Sequence, residues 1–417
     1  MWLQRKGQCC TAGNMIDLLK FALILAVTIF LLTRKWDLGL ILLLDTGLAA
    51  LLFAYPFPHL IRSILRGLFA TDTWNLAGAV FLVLLLAELM RRTQSMERMV
   101  AALQVVVPDN RIVLALIPTM IGLMPMLGGA MFSAPMVNEI GTRLDLTPSR
   151  KTYINYWFRH SMEYVFPLYS SLLMVSALLG VSVYAFVRAS WPLAVAAMAG
   201  GVVWGLAGIR LEKHDTNGHS QWKAWDDLFA SVWPILLVIL AVVVLQFNML
   251  ISLTVISALF AIIKRIGPAQ WRDVLTRSLP VQTFSSIFGV MIFKQVLQDV
   301  GAVEQIPQAL STLGLPPLVV AFVVPMLVGL VTGTAPAAMA LSLPLVAPLL
   351  TGLPIEALAS GVWMFVGCFS GILLSPMHLC LALTHNYFGA SWGALYKALL
   401  PSVGVIVATA VGILLLR

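Results

Sequence analysis

The 417 residues are 60% hydrophobic and only 11% charged, with 26 basic against 18 acidic side chains, a net charge of +8 and a mean hydropathy of +0.94. That balance excludes a soluble domain and describes an all-α polytopic membrane protein. The basic surplus is spread over short loops, so it reads as membrane topology and not as a nucleic-acid-binding surface.

A spanning helix needs about 20 apolar residues. The first expected spans are 15–33, 38–55 and 75–91. No small-residue cleavage site follows the first of them, so no cleavable signal peptide is expected. Asp45 and Glu88 lie in this group; Glu88 is within a turn of Arg91 and Arg92 and can snorkel toward them. Next comes 112–140, apolar but interrupted by Gly122-Leu-Met-Pro125-Met-Leu-Gly128-Gly129-Ala-Met-Phe-Ser133-Ala-Pro135. Spans 152–179 and 184–208 follow, then the longest polar stretch, Arg210 to Asp227. Spans 228–247, 249–263 and 279–298 come after it, the last carrying Lys294, expected to snorkel outward. A second interrupted segment, 317–350, precedes spans 357–383 and 394–416. The four cysteines (Cys9, Cys10, Cys368, Cys380) show no metal-ligand spacing.

Segment 112–140 decides the topology. If it crossed, its two basic flanks would face opposite compartments: Arg91, Arg92, Arg98 and Arg111 before it, Arg143, Arg150 and Lys151 after it. The positive-inside rule places both flanks in the cytoplasm, so the segment is expected to enter and leave on one side. Propagated along the chain, this puts 17 basic residues inside and six near the outer face. Both termini then lie outside, and 317–350 enters from outside.

The two interrupted segments share a signature. Pro118-Thr-Met-Ile-Gly122-Leu123 recurs as Pro325-Met-Leu-Val-Gly329-Leu330, and each is followed by a small-residue break, Gly128-Gly129-Ala130 and Thr332-Gly333-Thr334. The spans count three, hairpin, two, and again three, hairpin, two. Five spans separate the hairpins, so the halves, 1–212 and 213–417, are inverted repeats of five spans plus one re-entrant hairpin each. Broken backbone at membrane depth is tolerated where it lines a cavity or is buried in protein. Re-entrant tips at the midplane are a common way for secondary transporters to build a binding site.

The densest polar group follows the first hairpin: Asn155-Tyr-Trp-Phe-Arg159-His160-Ser161-Met-Glu163, with Pro167 beyond. On a regular helix Arg159, His160 and Glu163 share one face. Arg159 suits a carboxylate, sulfonate or phosphate, and His160 or Glu163 can couple protons; an internal Arg159–Glu163 pair that only fixes the fold is the alternative. His378, two residues past Pro376, mirrors this group in the second half, with Thr384 beyond it.

The run Leu116–Pro135, together with Ser375-Pro-Met-His-Leu-Cys-Leu-Ala-Leu-Thr384, resembles a prokaryotic integral-membrane family known only as a domain of unknown function. That family is grouped with the ion-transporter superfamily of arsenite permeases, sodium/proton antiporters and divalent-anion/sodium symporters. The resemblance implies sodium and substrate bound at the hairpin tips and an elevator-like movement of one domain. The Ser-Asn-Thr tip motif of the anion symporters is absent; Gly128-Gly129 and Thr332-Gly333-Thr334 occupy the comparable places.

The expected function is secondary transport of a small anion coupled to Na⁺ or H⁺ in the inner (cytoplasmic) membrane, with the lipid bilayer and a second copy of the chain, as a homodimer, for partners. Substrate is expected at Gly128, Gly129, Ser133, Asn155, Arg159, Thr332, Gly333, Thr334 and His378. Ion coupling is expected at His160, Glu163, Pro125 and Thr384, with Na⁺ near Gly128 and Gly333 and no other cofactor. A sodium/proton antiporter using Glu163 or Asp45 is the alternative. No zinc-protease, G-x-S-x-G or P-loop signature occurs, so no enzyme activity is expected, an intramembrane enzyme on a lipid-linked substrate being the weaker possibility.

Overall fold

The regular structure is helical throughout the described residues, which are 19–20, 22–32, 34, 36–123, 129–211, 220–301, 315–350 and 356–416 of a computed structural model. In chain order the helices are α1 (Ala22–Leu32), α2 (Leu38–Leu52), α3 (Phe57–Phe69), α4 (Thr71–Arg92), α5 (Ser95–Val106), α6 (Asn110–Gly122), α7 (Ala130–Arg143), α8 (Pro148–His160), α9 (Ser170–Leu179) and α10 (Val183–Gly200). They continue as α11 (Gln221–Ile239), α12 (Met249–Ile263), α13 (Pro268–Arg277), α14 (Val281–Asp299), α15 (Pro317–Thr332), α16 (Ala335–Val346), α17 (Ala357–Leu374), α18 (Leu379–Phe388) and α19 (Trp392–Leu415).

Five helical segments are long and apolar enough to cross a membrane: Thr71–Arg92, Val183–Leu206, Gln221–Val244, Ala357–Phe388 and Trp392–Leu415. The protein is a multi-pass membrane protein. The expected spans 38–55 and 249–263 contain helices of 15 residues, about 22 Å at 1.5 Å per residue, shorter than a 30 Å hydrocarbon core. Expected span 152–179 is divided into α8 and α9 around a non-helical stretch at 161–169. Pro167 explains the division, because it has no N–H to give the Glu163 carbonyl. Span 357–383 is likewise divided: Pro376 pushes Ser375 into an extended conformation, ψ 121°, and ends α17.

Three helices lie outside the expected spans. In α3 the exposed Phe57, Ile61, Leu65 and Phe69 recur every fourth residue, with His59, Arg62 and Arg66 on other faces. That pattern is an interfacial amphipathic helix, and its spacing was visible in the sequence. Helices α5 and α13 are short and polar-flanked.

The packing pairs the two halves of the chain crosswise. Helix α14 packs on α2 and α3, while α4 packs on α12 and α13; α10 packs on α19. The α2–α14 crossing is close because of glycine: a Cβ on Gly39 would collide with the Ser285 backbone, and one on Gly289 would stand 3.0 Å from the Gly39 carbonyl. Ser63 Oγ donates to Asp299 Oδ2 at 2.6 Å, tying α3 to the end of α14. At the core, the apolar window of Ala357–Phe388 is 78% buried, against 28% in Gln221–Val244 and in Trp392–Leu415. The former is central and the latter two face lipid.

Peripheral charges find partners as their positions require. Glu88 accepts from Arg91 Nε (2.7 Å) and Nη2 (2.6 Å). Asp45 is fully buried and accepts from Thr28 Oγ1 at 2.6 Å, leaving Oδ1 without a partner among the described residues. Lys294, half-buried, donates to the Ala177 carbonyl at 3.2 Å near the end of α9, a cation at a helix C-terminus.

Candidate functional site

Four backbone interruptions gather in the centre of the protein. The first lies between α6 and α7, the second at Gly333-Thr334 between α15 and α16, the third between α8 and α9, and the fourth at Ser375–His378 between α17 and α18. Each leaves free carbonyl and N–H groups where water is scarce, so each must be satisfied by protein.

Side chains satisfy them. Arg159 Nη1 donates to the Ile121 carbonyl at 3.1 Å, and the Tyr169 hydroxyl donates to the Gly122 carbonyl. Ser375 Oγ donates to the Leu330 carbonyl at 2.6 Å, and His378 Nδ1 donates to the Gly333 carbonyl at 2.6 Å. Gly333 itself has φ +62°, in the left-handed region, and a Cβ there would lie 2.7 Å from His378 N. The second break is thus pressed onto the fourth.

The two hairpin breaks are joined by three basic side chains in a row. Gly129 lies under the Arg159 guanidinium, where a Cβ would stand 2.6 Å from both terminal nitrogens. Arg159 and His160 are adjacent in sequence and both buried. His160 Nε2 meets His378 Nε2 at 3.0 Å, and His378 reaches Gly333. The Tyr156 ring flanks both imidazoles, with centroids 4.7 and 5.7 Å away, and its hydroxyl donates to the Leu373 carbonyl at 3.1 Å.

Arg159 and Glu163 do not share a helical face. Helix α8 ends at His160, so Glu163 lies in the turn beyond it. Its Oε1 stands 3.8 Å from His160 Nε2, while the guanidinium turns back to the first break. Ser161 Oγ, which donates to the Phe158 carbonyl at 2.9 Å, helps end the helix by competing for its backbone.

Asn155 is fully buried. Its Nδ2 donates to the Ala130 carbonyl (3.0 Å) and to Thr384 Oγ1 (3.3 Å), bridging α7 and α18. Its Oδ1 has no partner among the described residues, which leaves a buried oxygen dipole available to a cation. Ser133 is buried and donates to the Ala130 carbonyl at 3.2 Å. Thr332 and Thr334 bond each other across the second break. Gly128 and Pro125 lie outside the described residues.

Two residues of this group were not singled out from the sequence. Tyr156 carries no pattern of its own in an aromatic run. Cys380 has no metal spacing along the chain, yet its sulfur and the His160 and His378 nitrogens all lie within 4.8 Å of one another. The sequence separation of 218 residues between the two histidines hides the cluster from any local motif.

Fold and site define a multi-pass helical membrane protein whose broken helices converge on a buried basic centre. The chain belongs to the family described as "Protein of unknown function (DUF401)", whose model matches residues 16–416. Among solved structures it is similar to MtrF of Neisseria gonorrhoeae, described as illuminating a class of antimetabolite efflux pumps. The identity is 13%, the TM-score 0.50, and the match covers 85% of this chain and 83% of MtrF. At that identity the likeness concerns the fold. Among curated proteins none matches the chain.

Proposed function

We propose that the protein is a secondary active transporter of a small anion, built from two inverted repeats and driven by Na⁺ or H⁺. The observation that carries this reading is the continuous basic path from the first hairpin break to the second through Arg159, His160 and His378. A buried guanidinium between broken helix ends is costly unless something uses it, and its planar fork matches carboxylate, sulfonate or phosphate.

The repeat reading draws support from matched packing. A Cβ on Gly122 would collide with the Arg159 carbonyl, and one on Gly329, its counterpart, with the Cys368 carbonyl. Hairpin arm α7 packs on α18, and the corresponding arm α16 packs on α9. Coupling falls to Asn155 Oδ1 for a cation and to Glu163 for protons. The peripheral helices α2–α4 and α12–α14 form the frame of a homodimer in the inner membrane, and the hairpins with α8–α9 and α17–α18 move against it in an elevator. The shared fold with an efflux pump fits transport, and export is one direction such a site can serve.

The test is a thermal-shift screen of purified protein against small carboxylates, sulfonates and phosphates, with and without Na⁺, followed by flux in proteoliposomes. A ligand at 100 times its Kd stabilises by about 2.7 kcal/mol, a readily measured rise in melting temperature. At least one anion should stabilise, more strongly with Na⁺ or at lower pH, and its flux should require the matching gradient. If no anion stabilises and no gradient drives flux, the transporter reading fails.

A second reading, sodium/proton antiport, rests on Asp45, a fully buried carboxylate with one oxygen unpartnered among the described residues. Ion exchange that persists without any anion and disappears in Asp45→Asn would favour it.

A further inference from the structure

The Nε2 atoms of His160 and His378 face each other at 3.0 Å. Each ring is committed at its other nitrogen, His160 Nδ1 to the Tyr156 carbonyl at 2.7 Å and His378 Nδ1 to the Gly333 carbonyl at 2.6 Å. A carbonyl only accepts, so both Nδ1 atoms carry the hydrogen, and a neutral imidazole has just one. The two Nε2 atoms therefore aim lone pairs at each other. That arrangement repels unless a cation sits against both.

A shared proton would satisfy two nitrogens and nothing else. The surroundings offer more. Cys380 Sγ lies within 4.8 Å of both nitrogens, and Glu163 Oε1 lies 3.8 Å from His160 Nε2. His160 is 4% exposed and Cys380 8%, so these are not solvated surface groups.

The geometry points to a binding site for one borderline-soft divalent transition-metal ion of the Zn²⁺ type, held by His160 Nε2, His378 Nε2 and Cys380 Sγ. Tetrahedral coordination at ordinary Zn–N and Zn–S lengths sets ligand edges of about 3.3 Å for N–N and about 3.6 Å for N–S. The two nitrogens need to part by only about 0.3 Å to reach that edge. Their Nδ1–H groups, anchored on backbone carbonyls, are the outer-shell arrangement that fixes the tautomer and aims Nε2 at a metal. The nitrogen and sulfur donors exclude Mg²⁺ and Ca²⁺, which take oxygen ligands. The thiolate cancels one of the two charges of the ion, with the Glu163 carboxylate nearby, which matters at membrane depth. Binding releases the Cys380 thiol proton to solvent. Because His160 belongs to the first half of the chain and His378 and Cys380 to the second, the ion would bridge the two.

The experiment uses full-length protein carrying Cys9→Ser and Cys10→Ser, stripped with a chelator and titrated with Co²⁺. One equivalent should produce a thiolate-to-cobalt charge-transfer band in the near-ultraviolet with the visible bands of a tetrahedral ion, and Zn²⁺ should abolish both. Cys380→Ser should remove the charge-transfer band. His378→Gln, which keeps the thiol, should weaken Co²⁺ binding by at least the ~10–100-fold seen when a metal site loses one supporting partner, with an unchanged size-exclusion profile. A parent protein that binds no Co²⁺ at millimolar concentration leaves only a proton between the imidazoles and overturns the site. So does a charge-transfer band undiminished in Cys380→Ser, or Co²⁺ affinity undiminished in a folded His378→Gln.

Discussion

Arg159 stands against the C-terminal end of α6, where helix carbonyls gather negative partial charge, and its guanidinium lies over Gly129 at the start of α7. A lysine there would keep the charge and lose the fork. Arg159→Lys is expected to weaken anion binding tenfold or more, about 1.4 kcal/mol, read from the ligand-induced rise in melting temperature. Arg159→Ala, which leaves the coupling carboxylate Glu163 in place, should yield a folded protein whose melting temperature no anion raises, whereas a folded Arg159→Ala variant still stabilised by anion would make Arg159 a structural residue alone. That the helix breaks within this group was legible from Pro167. The placement of Glu163 was not: the i,i+4 argument assumed a helix that in fact stops at His160, so Glu163 lies in the turn beyond it, 3.8 Å from His160 Nε2.

At the scale of elements, the repeated Pro-x-x-x-Gly-Leu is explained by close approach. Gly122 lets α6 press on the Arg159 carbonyl of α8, and Gly329 lets α15 press on the Cys368 carbonyl of α17. Both contacts are with backbone, which cannot swing away. Gly122→Ala and Gly329→Ala should therefore each destabilise by about 1–3 kcal/mol, the usual penalty of overpacking. Gly47→Ala in α2, where the added methyl meets nothing within 4 Å, should instead stabilise by about 0.5–1 kcal/mol. Melting temperatures of the three variants check this, and equal effects at all three positions would sink the close-approach account. The motif itself was readable from sequence. Its reason was not, because the partner carbonyls lie 37 and 39 residues further along. Helix α3 was readable too, as a four-residue apolar rhythm, but a search for 20-residue spans passes over a 13-residue helix.

For the whole molecule, the expected topology makes a labelling prediction. In a cysteine-free background, single cysteines at the exposed positions Ala101 and Thr147 should react with an impermeant reagent from the same side, and one at the exposed Leu315 from the other. Ala101 and Thr147 reacting from opposite sides would mean that α6 and α7 together cross the membrane, and the inverted repeat would fall. Of the ten expected spans, only five hold a helix long and apolar enough to cross among the described residues. The apolar character of the chain and its two interrupted segments followed from composition and proline–glycine punctuation. Which helix packs on which did not, since crosswise pairing of the halves leaves no trace in local hydrophobic periodicity.

That crosswise pairing bears on how the chain is made. Helix α2 ends at Leu52 and its partner α14 begins at Val281, so at the usual ~5–20 residues per second the intervening roughly 230 residues take about 10–50 s to synthesise. Throughout that interval the glycine-lined face at Gly39 waits in the bilayer for the Ser285 backbone that fills it. A ribosome stalled between α4 and α14 would leave an N-terminal fragment with that seam open, a substrate for membrane quality control, and co-expression of the missing C-terminal fragment should extend its half-life in a pulse-chase experiment.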